Sequence, residues 1–289
     1  MYEVLALRQL APNIKEMDVY APKIARYAKP GQFVIVMACG EGERIPLTLV
    51  DWDGNEGWIR MVFSEVGAST HILGQKNVGD KLYCVLGPLG NPTRVGRFGA
   101  IAVVAGGVAV SAAYPVARAF KAEGNKVLAF LGARSSNLLI YVDKLATVSD
   151  EIHISTDDGS LGFSGFVTQL LEATIMKGLR PDLIWTVGPA HMMKACSDVA
   201  KKWNLKAIAS LNPIMVCGIG MCGACRVKVD GTIRFTCVEG PEFDATKVDW
   251  DELIQRLSMY REEEKLALSS ILTKEQRLYM AERDLKWLR

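Results

Sequence analysis

The chain has 289 residues, of which 49% are hydrophobic and 23% charged, and its formal net charge is +2. A domain takes roughly 100–200 residues, so the length favours two domains and an extra segment. The near-neutral charge gives no electrostatic basis for nucleic-acid binding. The first residues lack the apolar core of a signal peptide, and the longest apolar run, 100–113, is shorter than the roughly 20 residues of a membrane span. We therefore expect a cytoplasmic protein without a membrane span.

Residues 1–97 alternate apolar and polar side chains between frequent turn signals such as Asp53-Gly54 and Gly79-Asp80. The alternation predicts short strands, because successive side chains of a strand point to opposite faces. We place these strands at 31–37, 47–50, 57–63 and 81–85. Short strands without long helices between them predict an antiparallel barrel.

The pattern changes near 96–99, where continuous apolar strands begin to alternate with helical segments. Such alternation predicts an α/β domain with a parallel sheet covered by helices on both faces. The predicted strands are 100–105, 126–131, 151–155, 183–187 and, as the last strand, 207–210. The predicted helices follow Gly107 and cover 138–145, 166–173 and 190–203.

The remaining chain divides into a cysteine-rich insert, residues 211–245, and a charged helical extension, residues 246–289. The fold class is thus α+β and multidomain: a barrel domain at 1–97, an α/β domain at 98–210, the insert and the tail. Apolar residues in the tail recur at amphipathic spacing, which predicts packing on the chain's own body or on another subunit. These residues are Leu253, Leu257, Tyr260, Leu266 and Leu268.

Four cysteines form the strongest motif of the chain. Cys217, Cys222, Cys225 and Cys237 have the spacing C-x4-C-x2-C-x11-C, which is the plant-type [2Fe–2S] arrangement. Glycines between the cysteines let the backbone curl around a cluster without side-chain clashes. A structural zinc site is the alternative, but zinc modules use two close cysteine pairs or cysteine with histidine. The other three cysteines, Cys39, Cys84 and Cys196, are expected to be plain buried thiols.

Two loops of the first domain carry weaker signals. In the segment 44–48 an arginine can neutralise a pyrophosphate and Thr48 can bond a flavin edge, although an ordinary strand entry explains it equally well. The segment 66–70 combines small residues, hydroxyls and amides that suit an anion-binding nest, or a plain loop that leads into a helix. The residues concerned are Arg44, Pro46, Leu47, Thr48, Val66, Gly67, Ala68, Ser69 and Thr70.

Three segments of the second domain end predicted strands. Gly106 and Gly107 lie between a strand and a helix, where backbone amides bind phosphate, although the strict G-x-G-x-x-G fingerprint is absent. Asp157, Asp158 and Gly188 also follow strands, where ligands bind in open α/β sheets. The two aspartates would repel a 2′-phosphate and favour NAD(H) over NADP(H), whereas Arg134 could accommodate that phosphate.

The motifs R-I-P-L-T, V-G-A-S-T, G-P-L-G, A-G-G-V, T-D-D-G-S, G-P and the four-cysteine insert occur in that order. In this combination the chain resembles the ferredoxin reductase superfamily. It is similar to the electron-transfer subunits of dihydroorotate dehydrogenase. It is most similar to the small subunits of NADH-dependent reduced ferredoxin:NADP oxidoreductases, also known as sulfide dehydrogenase subunits. The stretches LNPIMV and GMCGACRV and the tail favour this last group.

The resemblance implies an NAD(P)H-dependent flavin oxidoreductase subunit. FAD would bind in the first domain, through the segments 44–48 and 66–70, and NAD(H) in the second, beside Gly106, Gly107 and Asp157. A hydride would pass between NAD(H) and FAD, and a [2Fe–2S] cluster would forward single electrons to a larger flavin or iron–sulfur subunit. No side chain is assigned as catalytic acid or base. Two alternatives stay open: an electron-transfer subunit of dihydroorotate dehydrogenase, and a zinc-stabilised binding module without redox activity.

Overall fold

The structure is a computed structural model, and it describes residues 2–272. The first part of the chain forms eight strands and two short helices, α1 (Pro22–Tyr27) and α2 (Ala68–Gly74). The strands are β1 (Tyr2–Ala11), β2 (Ile14–Tyr20), β3 (Phe33–Met37), β4 (Ile45–Thr48), β5 (Asp51–Asp53), β6 (Trp58–Ser64), β7 (Lys81–Leu82) and β8 (Cys84–Leu89).

These strands form two antiparallel sheets around one apolar core. One sheet has the order β5-β6-β2-β1-β7, and the other has the order β4-β3-β8. The edge strands β4 and β5 belong to different sheets and are separated by two residues. At the opposite edge, β7 and β8 also belong to different sheets and are separated by one residue, so short connections join the two sheets at both edges. Met17, Val34, Val36, Met61 and Phe63 are buried between the sheets. The predicted antiparallel domain is confirmed, with two sheets joined at both edges.

The second part of the chain contains a largely parallel sheet. Its strands are β9 (Ala100–Gly106), β10 (Lys126–Ala133), β11 (Glu151–Thr156), β12 (Phe163–Ser164), β13 (Leu183–Val187) and β14 (Lys206–Ser210). Its helices are α3 (Val110–Ala122), α4 (Val142–Ala146), α5 (Val167–Met176) and α6 (Ala190–Trp203). One face of the sheet packs on α3 and α4, and the other packs on α5 and α6. The predicted parallel sheet with two covered faces is therefore confirmed.

The predicted helix at 138–145 is wrong in its extent. A 3-10 turn covers Ser136–Leu138, and α4 begins only after Tyr141. Tyr141 adopts a left-handed backbone conformation with φ 60°, which a continuous right-handed helix cannot contain. The local apolar pattern was compatible with a helix, but it does not report this backbone break.

The cysteine-rich insert folds into a hairpin and a short helix. β15 (Arg226–Val229) pairs with β16 (Thr232–Phe235), and α7 (Thr236–Glu239) follows. The chain then returns to the parallel sheet as β17 (Glu242–Asp244), which pairs antiparallel with β14. The expectation that 207–210 is the last strand is therefore wrong. The strand order is β12-β11-β10-β9-β13-β14-β17, and residues 211–241 form an excursion between two paired strands.

The tail begins with two helices, α8 (Trp250–Leu257) and α9 (Arg261–Ile271). Trp250 and Leu253 of α8 are buried in the core that contains α6, so this part packs on the chain's own body. Helix α9 crosses to α2 of the first domain and leaves Leu266 exposed. The rest of the predicted extension, residues 273–289, lies outside the described residues. Between residues 2 and 272, no helix is long and apolar enough to cross a membrane.

Candidate functional site at the junction of the two domains

The first two domains share an apolar and ionic interface. Ile14, Val50 and Val62 of the antiparallel domain are buried in one core with α3 and α4. Beside this core the Tyr141 hydroxyl bonds the Glu16 carboxylate, and Lys144 lies 3.4 Å from the same carboxylate. The contacts join β2 to the start of α4. They hold the antiparallel domain against the sheet face on which α3 and α4 lie.

Gly106, Gly107 and Gly188 meet at the carboxyl edge of the parallel sheet. From β9 the chain passes to β10 on one side, and it later returns to β13 on the other side. The point between β9 and β13 is therefore the topological switch point, where open α/β sheets bind ligands. Gly106 ends β9, and Gly188 directly follows β13. The backbone turn after β9, Gly107–Ala109, also packs on β6 of the antiparallel domain.

Met192 lies over these glycines, a feature that the sequence analysis did not include. A Cβ atom at Gly106 would lie 2.5 Å from Met192 Sδ, and one at Gly188 would lie 2.7 Å from Met192 Cε. The two glycines therefore make room for a helix side chain as well as for any ligand. The sequence offered one signal for Met192: it lies in the first turn of the helix that follows Gly188-Pro189. A methionine side chain has no charge or reactive group, so this position did not stand out.

Arg134, Asp157 and Asp158 lie together at the ends of β10 and β11. The Asp157 amide donates to the Ala133 carbonyl at 3.0 Å, and the Asp158 amide donates to the Arg134 carbonyl at 3.1 Å. Partial burial raises the pKa of Asp157, the charge of Arg134 opposes this shift, and Asp158 adds to it. The edge therefore presents an arginine whose positive charge is offset by a neighbouring carboxylate.

In the antiparallel domain, β4 is an edge strand and pairs with β3 alone. Its residues Ile45, Pro46, Leu47 and Thr48 are each only partly buried, and Arg44 before it is exposed. This arrangement leaves one side of the segment 44–48 accessible to a ligand. The assignment of these residues to a flavin stays a prediction.

The loop before α2 is more constrained than an open nest. The amides of Val66 and Gly67 both donate to Thr70 Oγ1 at 3.1 Å. Ser69 Oγ donates to a carboxylate oxygen of Glu43 at 3.0 Å. Two of the amides expected for an anion therefore already have a partner. The amides of Ala68, Ser69 and Thr70 remain at the start of the helix, where intrahelical acceptors are lacking.

The structure brings the four cysteines of the insert together. Cys225 Sγ and Cys237 Sγ lie 3.2 Å apart. The Cys222 amide lies 3.4 Å from Cys217 Sγ, and the Gly220 amide lies 3.2 Å from Cys237 Sγ. Three of the thiols are buried, and Cys222 is exposed.

The loop that carries the first cysteines docks on the antiparallel domain. Gly218 has φ +73°, and a Cβ atom there would lie 2.7 Å from Leu89 Cδ1 and 2.8 Å from Ile35 Cγ1. Cys225 and Cys237 belong to a small core with Phe33, Ile35 and Met215. The loop is thereby fixed against β3 and β8 by packing, and Gly218 permits the close approach.

Electrostatics differ between Cys217 and Cys237. Desolvation opposes ionisation of Cys217, but amides of Ile219, Cys222 and Met221 outweigh it and lower its pKa to about 6. Burial and, to a smaller extent, the neighbouring Cys225 together raise the pKa of Cys237 to about 12, against the opposing effect of the Gly220 amide. Amides directed at sulfur are the groups that stabilise thiolates and tune a bound cluster.

The donor set fits a two-iron cluster better than a single zinc ion. Four cysteines in the plant-type spacing, with backbone amides directed at their sulfurs, are the ligands that a [2Fe–2S] centre needs. Structural zinc sites use two close cysteine pairs or cysteine with histidine, whereas residues 211–245 contain one C-x2-C pair and no histidine.

Of the scattered cysteines, Cys196 is fully buried, and burial raises its pKa to about 12. Its expected role as a packed thiol is confirmed. The expectation was wrong for Cys39 and Cys84, which are partly exposed: Cys39 lies two residues after the end of β3, and Cys84 is the first residue of β8.

The comparison with known proteins identifies the family. Residues 212–249 match the model of the iron-sulfur cluster binding domain of dihydroorotate dehydrogenase B. The Thermotoga maritima dihydroorotate dehydrogenase B (NAD(+)), electron transfer subunit homolog is 44% identical over 270 residues, which are 93% of this chain and 95% of that protein. The chain belongs to the family of these electron transfer subunits and their homologues. The Desulforamulus reducens dihydroorotate dehydrogenase B electron transfer subunit is 34% identical and covers 86% of this chain and 97% of its own length.

Solved structures agree with this assignment. A chain of the NADH-dependent reduced ferredoxin-NADP oxidoreductase, studied for flavin-based electron bifurcation, superposes with a TM-score of 0.89. It is 42% identical, and the match covers 94% of this chain and 98% of that one. Phthalate dioxygenase reductase shares the fold, with a TM-score of 0.56 at 15% identity over 79% of this chain and 85% of its own. The predicted resemblance to the ferredoxin reductase superfamily is confirmed.

Proposed function

We propose that the chain is the electron-transfer subunit of a heteromeric flavin iron–sulfur oxidoreductase of the ferredoxin:NAD(P) transhydrogenase type. It binds FAD in residues 1–97, NAD(H) at residues 98–210 and a [2Fe–2S] cluster in the insert. The observation that carries this proposal is the packing of the cysteine segment on β3 and β8 of the antiparallel domain, whose β6 also contacts the turn Gly107–Ala109 at the edge of the parallel sheet. Three cofactor sites thus adjoin one domain, as a subunit that relays electrons requires.

The chain's own residues hold the cofactors and contribute no acid or base. Arg44 and the amides of Ala68, Ser69 and Thr70 at the start of α2 bind the FAD pyrophosphate, while Pro46, Leu47 and Thr48 lie along the flavin. When bound, FAD supplies the means to convert the electron pair of a hydride into single electrons. Cys217, Cys222, Cys225 and Cys237 would hold the two irons of the cluster. The amides of Gly220 and Cys222 stabilise the thiolates.

NAD(H) binds along the carboxyl edge of the parallel sheet. Gly106, Gly107 and Gly188 let the phosphates approach the backbone at the switch point. Asp157 and Asp158 lie toward the ribose and disfavour a 2′-phosphate by like-charge repulsion. Arg134 is the opposing group, but Asp157 offsets its charge. We therefore assign NAD(H) as the nucleotide.

A larger flavin or iron–sulfur subunit receives the electrons. Large apolar side chains are exposed on the insert around the exposed Cys222, including Ile219 at 56% and Met221 at 79%. Val216 and Val238 extend this surface. Contiguous exposed apolar residues typically mark protein contacts. The surface therefore suits a subunit that docks on the cluster side.

An electron-transfer subunit of dihydroorotate dehydrogenase is the second candidate, and the names of the curated relatives favour it. The first candidate is favoured by the solved chain of the ferredoxin-NADP oxidoreductase, which is 42% identical to this chain, against 34% for the Desulforamulus subunit. Coverage does not separate the two candidates, because the Thermotoga homolog covers 93% of this chain and the oxidoreductase chain covers 94%. Identification of the subunit that co-purifies from native cells separates the two.

Anaerobic purification tests the proposal as a whole. The protein should contain one FAD and about two irons and two sulfides per chain, the stoichiometry of a [2Fe–2S] centre. NADH should bleach the flavin, and a second subunit should elute with the chain in size-exclusion chromatography. Stoichiometric zinc without iron, or full turnover by an isolated monomer, would contradict the proposal.

A further inference from the structure

Glu242 lies where three parts of the molecule meet. It is the first residue of β17 and pairs with Ser210, the last residue of β14. The Leu211 amide donates to the Pro241 carbonyl at 2.9 Å, so the two ends of the excursion 211–241 are bonded together beside it. Any displacement of Glu242 therefore moves the base of the segment that carries all four cysteines.

One oxygen of this carboxylate joins the other two parts. Trp185 Nε1, on β13 of the parallel sheet, donates to Glu242 Oε1 at 2.9 Å. Thr93 Oγ1, on the connection that leaves the antiparallel domain, donates to the same oxygen at 2.5 Å. Trp185 and Thr93 are both buried, so neither donor can exchange freely with water. Within residues 2–272 no lysine, arginine or histidine forms an ion pair with Glu242.

The antiparallel domain closes over this point. Gly31 has φ +81°, and a Cβ atom there would lie 2.2 Å from Thr93 Oγ1 and 3.1 Å from Glu242 Oε1. The Asn91 amide donates to the Gly240 carbonyl at 2.7 Å, which ties the same connection to the end of the cysteine segment. Among the described residues, the hydrogen-bond donors to this carboxylate are thus neutral, and the backbone at Gly31 lies close to it.

We propose that Glu242 is a positioning residue for electron transfer, which fixes the cysteine segment against both the nucleotide-binding sheet and the antiparallel domain. The idea rests on the proposed function. The required feature is an acceptor oxygen that bonds Trp185 and Thr93 together, and a negative charge is not required. The distance from the flavin to the cluster depends on how rigidly the two ends of the segment 211–241 are held. Hydride transfer at the switch point does not involve this segment.

The test compares Glu242→Leu, which removes the acceptor, with Glu242→Gln, which retains an acceptor oxygen. Thr93→Val removes one donor with little change in shape, and Glu123→Leu, at the exposed end of α3, is the matched control. The holoprotein is mixed with NADH in a stopped-flow instrument, and flavin bleaching and cluster reduction are followed separately. Hydrogen–deuterium exchange of residues 211–241 gives a second readout that needs no turnover.

We expect Glu242→Leu to slow cluster reduction about tenfold and to increase exchange in residues 211–241, with flavin bleaching unchanged within about twofold. Thr93→Val should show the same changes to a smaller degree, and Glu242→Gln and Glu123→Leu should match the parent. Equal effects of Glu242→Gln and Glu242→Leu, or no change in exchange with Glu242→Leu, would overturn the proposal. If NADH reduces no cluster even in the parent, the proposed function fails, while the exchange data still decide the role of Glu242.

Discussion

Substitution of Gly218 by alanine tests whether the cysteine loop is held by its packing on the antiparallel domain. Gly218 has φ +73°, and its added Cβ would lie within 2.8 Å of both Leu89 and Ile35. Gly231, in the turn between β15 and β16, has the same φ of +73° and no heavy atom within 4 Å of an added Cβ. An alanine in the left-handed conformation therefore has the same backbone cost in both variants. The two variants differ in the steric clash, which occurs only at position 218.

The magnitudes follow from these two terms. A left-handed conformation costs an alanine about 1–2 kcal/mol at either position. Overpacking adds about 1–3 kcal/mol at position 218 alone, because the neighbours are side chains of a filled core. Since 1 kcal/mol corresponds to about 2–4 °C for a chain of this size, Gly218→Ala should melt about 2–12 °C below Gly231→Ala. It should also retain less iron, because the loop that carries the cysteines is displaced.

The assay is thermal unfolding of both anaerobically purified variants at equal protein concentration, with iron content measured on the same samples. Gly231→Ala should keep the iron content of the parent, since its change lies at an open turn. If the two variants melt within about 1 °C of each other and hold the same iron, the loop is not fixed by contact with Leu89 and Ile35, and the packing argument is refuted.

Three further predictions concern the cofactor sites and the domain interface. Cys222→Ser should lose most of its iron but keep its FAD, because the cluster would lose one of its four thiolate ligands. Iron and flavin assays measure both contents, and an unchanged iron content would exclude Cys222 as a ligand. NADH should reduce the flavin faster than NADPH, and Asp157→Asn should narrow this difference in rate by about 1.4- to 5-fold, since exposed charge pairs contribute about 0.2–1 kcal/mol; a parent that prefers NADPH would reverse the assignment. Tyr141→Phe should lower the melting temperature by about 3–12 °C, because a hydrogen bond to charged Glu16 contributes about 1.5–3 kcal/mol. Unchanged melting would show that the interface does not depend on that bond.

Local sequence patterns determined much of the architecture. Alternation with a period of two identified the antiparallel strands, and apolar runs alternating with helical segments identified the parallel sheet, because both signals arise from side chains close in sequence. The spacing from Cys217 to Cys237 predicted the class of metal centre for the same reason. The motif order predicted the superfamily.

The tertiary structure decided the features that depend on contacts distant in sequence. The pairing of Cys225 with Cys237 and the docking of Gly218 on Ile35 depend on where the hairpin β15–β16 returns. The strand β17 has three residues, too few for a pattern, and it exists because β14 offers an open edge. The meeting of Thr93, Trp185 and Glu242 joins residues from three parts of the chain, and no local pattern reports it. Local propensity selects the elements, whereas burial and hydrogen-bond satisfaction between elements select which side chains meet.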